Sequence, residues 1–149
     1  MAHMGRVRHR MPQGSGNRLA TWKYGYGLEA YDWWIDALEA NKAADFGNAY
    51  NAQCWSEAKN FAKEFLKRIA SRNEKPREAL NKAVSYYEEV CSAMSEIAGI
   101  FPFPPGDQLK DEKNRSQAIK ALKVAEKAEE KAVKHLRKAL ESDWGETTC

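Results

Sequence analysis

Apolar residues recur every three or four positions along most of this chain, and the runs are separated by short breaks rich in Gly, Pro and Asn. That period places one apolar stripe along an α-helix and predicts four of them. The first spans about Gly27 to Asn41. Tyr26, Ala30, Tyr31, Trp33, Trp34, Ile35, Ala37 and Leu38 fall on one broad arc, with Glu29, Asp32, Asp36 and Glu39 on a solvated opposite side. An arc this wide serves two neighbours, or one neighbour and a partner. The second helix spans about Phe46 to Ser71, with a stripe of Tyr50, Cys54, Ala58, Phe61, Ala62, Phe65, Leu66 and Ile69. The third starts at Pro76, suited to a first helical position, and runs to about Ala98. Its stripe is Leu80, Ala83, Val84, Tyr87, Val90, Cys91, Met94 and Ile97. The fourth starts between Asp107 and Asp111 and ends near Ser142. Ala118, Leu122, Ala125, Ala132, Val133, Leu136 and Leu140 form its stripe, and a Lys/Glu ladder that includes Glu126 and Glu130 lies outside.

No β-type alternation competes, and short connections set neighbouring helices antiparallel. The fold predicted is all-α: an antiparallel up-down four-helix bundle. An aromatic N-terminal arm (residues 17–26) packs on it. A Pro-rich loop (residues 99–109) joins helices 3 and 4, where three prolines forbid regular helix and Ile100, Phe101 and Phe103 fold back over one end of the core. Residues 1–18 are expected to be a flexible leader or a vector-derived remnant, residues 19–142 the bundle and residues 143–149 a C-terminal tail.

The net charge of +3 misleads if taken whole. Arg6, Arg8, Arg10 and Arg18 sit in the leader with no acid beside them, and the rest of the chain is close to neutral. A near-neutral body argues against a nucleic-acid partner. No apolar stretch approaches a membrane span, which argues against a membrane partner. The three cysteines, Cys54, Cys91 and Cys149, include no Cys-x-x-Cys pair. The first two lie among apolar helix neighbours, where a reduced thiol acts as a small hydrophobe, so a reducing, cytoplasmic setting is expected.

Polar residues inside apolar stripes carry the functional reading. Glu129 lies within about 20° of the middle of the fourth stripe at 100° per residue. A buried carboxylate must be paired, hydrogen-bonded or protonated. Asn51 lies in the second stripe, Glu57 at its edge, Tyr87 in the middle of the third, and Trp33 and Trp34 supply indole donors from the first. At one level of an up-down bundle these residues make an aromatic-walled pocket around one carboxylate, suited to a small cationic or polar ligand. Tyr26 and Tyr50 extend its aromatic wall. The rival readings are a Glu129 that faces water past the end of the body, or one that Tyr87 and Asn51 merely satisfy.

Several chemistries find no support. A di-iron bundle needs inward Glu-x-x-His pairs, but the body holds one histidine, His135, with Ala132 three positions before it. His/Cys spacing for zinc is missing. Cys54 or Cys91 with His135 offers no orienting third group, and Tyr24-Gly-Tyr-Gly27 follows no strand. Neither a metal nor a cofactor is expected.

The run Tyr24-Gly-Tyr-Gly-Leu-Glu-Ala-Tyr-Asp-Trp-Trp-Ile-Asp-Ala-Leu38 and the segment Asn48-Ala-Tyr-Asn-Ala-Gln-Cys-Trp55, followed by Glu57-Ala-Lys-Asn-Phe-Ala-Lys-Glu-Phe-Leu66, resemble helical modules of bacterial and archaeal proteins. Some of those modules stand beside cysteine-peptidase-like or butirosin-H-like domains. The resemblance covers about residues 24–141. It implies an accessory or sensing module, and since no nucleophile domain is present it brings no peptidase or acyltransferase activity. Three readings stay open. One is a small binding or accessory module, with a pocket or a groove for a protein partner. Another is a structural or oligomerising bundle, including a homodimer through Trp33, Trp34 and Ile35 of the first helix. The third is an enzyme using Glu129 as acid or base.

Overall fold

The computed structural model describes residues 27–142, and these form an all-α four-helix bundle. The helices are α1 (Glu29–Glu39), α2 (Asp45–Arg72), α3 (Arg77–Ile100) and α4 (Glu112–Glu141), with a 3₁₀ turn at Gln108–Lys110 before α4. The leader, the aromatic arm with Tyr26 and the C-terminal tail lie outside the described residues.

Local chemistry explains most helix ends. α1 stops in a Schellman arrangement. Asn41 adopts a left-handed φ of 53°, its N–H bonds to the Leu38 carbonyl, and the Lys42 N–H reaches back to Ala37. Asparagine tolerates that conformation better than most residues. At the end of α2, Arg77 of α3 donates from Nε to the Ala70 carbonyl, and the Asn73 amide donates to Ile69. The end of α3 is held by Gln53 of α2, whose amide donates to the carbonyls of Ala98 and Phe101. α3 ends at Ile100, two residues beyond the expected Ala98, so Gly99 lies within its last turn. Asp111 caps α4, its carboxylate accepting from the Lys113 N–H.

α3 packs along both α2 and α4, and α1 lies along α4 with side chains reaching α2. The α3 stripe is buried at every position expected. Along α4, Ala118, Leu122, Ala125 and Ala132 are buried. Leu140 is not: it is 76% exposed, and Ala139 takes its place in the core. The loop contributes Phe101 to the core, whereas Phe103 stays outside.

α2 departs most from expectation. Its packed face is Asn48, Ala49, Ala52, Leu66 and Ala70, mostly small residues that let the helices approach closely. Tyr50, Ala58, Phe61 and Phe65, placed in the stripe from the apolar pattern, face outward. The helix has two apolar faces, one of alanines and one of aromatic rings. Residue size points to the wrong one.

Candidate functional site

Glu129 is buried, 8% exposed, and it anchors a cluster to which each helix gives one polar group. From α1, the Tyr31 hydroxyl donates to Oε2 at 2.5 Å. From α2, the Lys59 ammonium contacts Oε1 at 2.7 Å. From α3, the Tyr87 hydroxyl donates to the same oxygen at 3.1 Å. Three donors on two oxygens is the hydrogen-bonding pattern of an ionised carboxylate. Lys59 also stands over two rings, 5.8 Å from the Tyr31 centroid and 5.4 Å from that of Trp55.

A second layer supports the first. Trp55 meets Tyr31 and Trp34 edge-on, with centroids 5.2 and 5.3 Å away. The Trp34 indole donates to Asn48 Oδ1 at 2.8 Å, which ties the middle of α1 to the first turn of α2. Glu126, expected on the outer ladder, is also buried one turn before Glu129. Burial and the adjacent Glu129 charge push the Tyr31 phenol far above its usual value near 10, with a smaller push from Glu126. Tyr87 is raised by the same two causes, burial first.

Of the residues expected in an aromatic–acid site, the structure brings together Glu129 and Tyr87, with buried Trp34 one ring further out. Trp33 is 42% exposed and turned away, since it lies one residue, about 100°, around the helix from Trp34. Tyr50, Asn51 and Glu57 are exposed on the outer side of α2. The buried amide is Asn48, not Asn51. Tyr31 lies on the expected α1 arc, where nothing in the sequence marks its hydroxyl; Lys59, Trp55 and Asn48 escape a reading that buries the large rings of α2. Reading its inner face from Ala49, Ala52 and Ala70 places Lys59 on that face too.

This arrangement is an aromatic-lined seat for a cation beside a carboxylate, and Lys59 sits in it. Glu129 lines neither of two hollows among the described residues. One, about 10 Å³ beside Asn48, Phe101 and Leu109, is too small for an organic ligand. A wide, open hollow of about 560 Å³ runs along the outside of α3, lined by Glu74, Arg77, Asn81 and Lys82, away from the cluster. No three His, Cys, Asp or Glu side chains among the described residues are grouped to hold a metal, and no described helix is long and apolar enough to cross a membrane.

The second feature is the outer face of α2. Phe46, Tyr50, Phe61 and Phe65 are each more than half exposed. At 100° per residue they span an arc of about 100° centred opposite Lys59. Phe103 from the loop joins its N-terminal end, meeting Phe46 edge-on at 5.4 Å and Tyr50 at 6.1 Å, while Phe46 and Tyr50 stack at 6.1 Å. The Tyr50 phenol is raised chiefly by a hydrogen bond with Cys54, half-buried on the same arc. No protein-family model, curated protein or solved structure matches the chain.

Proposed function

We propose that this chain is a helical protein-interaction module that binds through the outer face of α2. The observation that carries this reading is the exposure of Phe46, Tyr50, Phe61, Phe65 and Phe103 on one side of a helix whose other side is already packed. Isolated exposed rings are ordinary, but five on one side, Phe46, Tyr50 and Phe103 at the start of α2 and Phe61 and Phe65 farther along, are characteristic of contact surfaces. Aromatic residues are also the side chains that dominate binding energy at interfaces. The Glu129 cluster favours this reading over a pocket for a small cation, because the chain's own lysine fills that position. An accessory module of this kind agrees with the resemblance to helical modules that stand beside larger domains. The free thiols of Cys54 and Cys91 are compatible with a reducing, cytoplasmic setting.

A photoreactive phenylalanine analogue in place of Phe61, in the full chain expressed in its own host, tests the reading. Irradiation is expected to give a discrete covalent adduct with a protein. The same probe in place of exposed Lys113 at the start of α4 gives none. Equal labelling at both positions, or none at Phe61, overturns the proposal.

A further inference from the structure

Resting on that reading, we infer that the surface bound by the α2 face is the same face of a second copy, in an antiparallel two-fold pair. The argument is the spacing of its rings. Phe46 and Phe65 are equidistant from the midpoint between Trp55 and Ser56; so are Tyr50 and Phe61, and so are Cys54 and Glu57. A two-fold axis through that midpoint, perpendicular to α2, sets Phe46 against Phe65 of the second copy and Tyr50 against Phe61, each contact occurring twice. This is the self-complementarity an isologous interface demands: residue i meets j, and j meets i. On a helical wheel the same axis emerges about 180° from the packed alanine face, so pairing disturbs no contact within the bundle.

Area supports the same occupant. α2 has 28 residues, a rod of about 42 Å at 1.5 Å per residue. With aromatic side chains offering 150–250 Å² each, five rings about half exposed supply roughly 500 Å² per copy. Two copies then bury about 1,000 Å², at the threshold for a specific interface before Cys54, Glu57 and Ala58 between the rings are added. Phe103 widens each end of the strip, where it meets the Phe65 end of the other copy. At the centre, Cys54 faces the Glu57 side chain of the second copy rather than a second carboxylate.

Phe61→Glu and Tyr50→Arg, made separately in the full chain, test the pairing by sedimentation equilibrium. Both positions are exposed, so both variants keep the wild-type helical circular dichroism. The wild type is expected to sediment as a dimer and each variant as a monomer. A one-to-one mixture of the two variants is expected to recover a dimer, because each Phe61→Glu carboxylate then faces a Tyr50→Arg guanidinium while the second Tyr50–Phe61 contact is native. A dimer recovered by neither mixture nor wild type overturns the inference. So does a wild-type monomer whose thermal midpoint falls with Phe61→Glu, which assigns the face to the chain's own residues 1–26. A wild-type monomer that still gives a hetero-adduct in the photocrosslinking experiment removes the second copy and leaves the interaction reading intact. A monomer with no adduct removes both.

Discussion

The two sides of α2 handle opposite problems. Its inner side half-buries a lysine, and its outer side exposes four rings. On the inner side a charge is tolerated because it is partnered: Glu129 of α4 neutralises it, and the rings of Tyr31 on α1 and of Trp55 on α2 itself face it. On the outer side the rings remain in water although burial of each would stabilise by about 1.5–3 kcal/mol. The lesson is that residue polarity alone does not say which side of a helix is inside. Packing decides: small residues allow close approach of α3, and the polar cluster is satisfied only as a complete set. Mutations on the two sides therefore act on different quantities, folding on one and association on the other.

The largest effect is expected at the centre of the cluster. Glu129→Ala leaves a partly buried ammonium unpaired and two buried hydroxyls without an acceptor, and should cost about 3–5 kcal/mol in urea unfolding. A loss below about 1 kcal/mol would mean that the cluster is exposed to water in solution. Lys59→Met comes next. Its ammonium is nearer the surface, with 21% of its side chain exposed, and the two phenols still hold Glu129, so a loss of about 2–3 kcal/mol is expected. The double variant Lys59→Met with Glu129→Ala should lose less than the two single losses added, measured as a double-mutant cycle.

Tyr31→Phe is expected to cost about 1–3 kcal/mol, by removing a donor to a buried carboxylate. It also changes the pH profile. Tyr31 and Tyr87 ionise in the fold well above the value near 10 that they have when unfolded. Their contribution is therefore complete below pH 10 and is lost progressively as pH rises above it, because the unfolded chain alone releases those protons. Wild type should lose stability steeply above pH 10, and Tyr31→Phe should flatten that fall. A parallel fall in both proteins would rule out the phenol as its source. The smallest effect on folding is expected on the outer side. Phe61→Glu should shift the unfolding free energy of the monomer by no more than about 0.5 kcal/mol. A larger loss would show that the ring packs on its own chain.

Much of the architecture was legible from the apolar period. α3 is surrounded on its inner side, so its stripe is unambiguous and every expected position is buried. Glu129 was legible for a related reason: a carboxylate among Leu122, Ala125, Ala132 and Leu136 stands out. Its partners were not. Lys59 carries a charge that reads as surface, and Asn48 differs from Asn51 by three residues, less than one turn. Both lie on a face made of alanines, which a scale weighted by side-chain size ranks below rings. Phe103 was expected inside and lies outside, because Phe101 already fills the end of the core and the prolines that follow leave it beside Phe46 and Tyr50.

The one-group-per-helix make-up of the cluster has a historical consequence. Tyr31, Lys59, Tyr87 and Glu129 cannot drift one at a time, since each single loss strands what the others hold. Descendants of this chain should therefore keep all four or exchange them together for apolar residues, while the surrounding buried alanines stay small and the outer charges vary freely. A lineage carrying three of the four would have to show a compensating change within reach of Glu129.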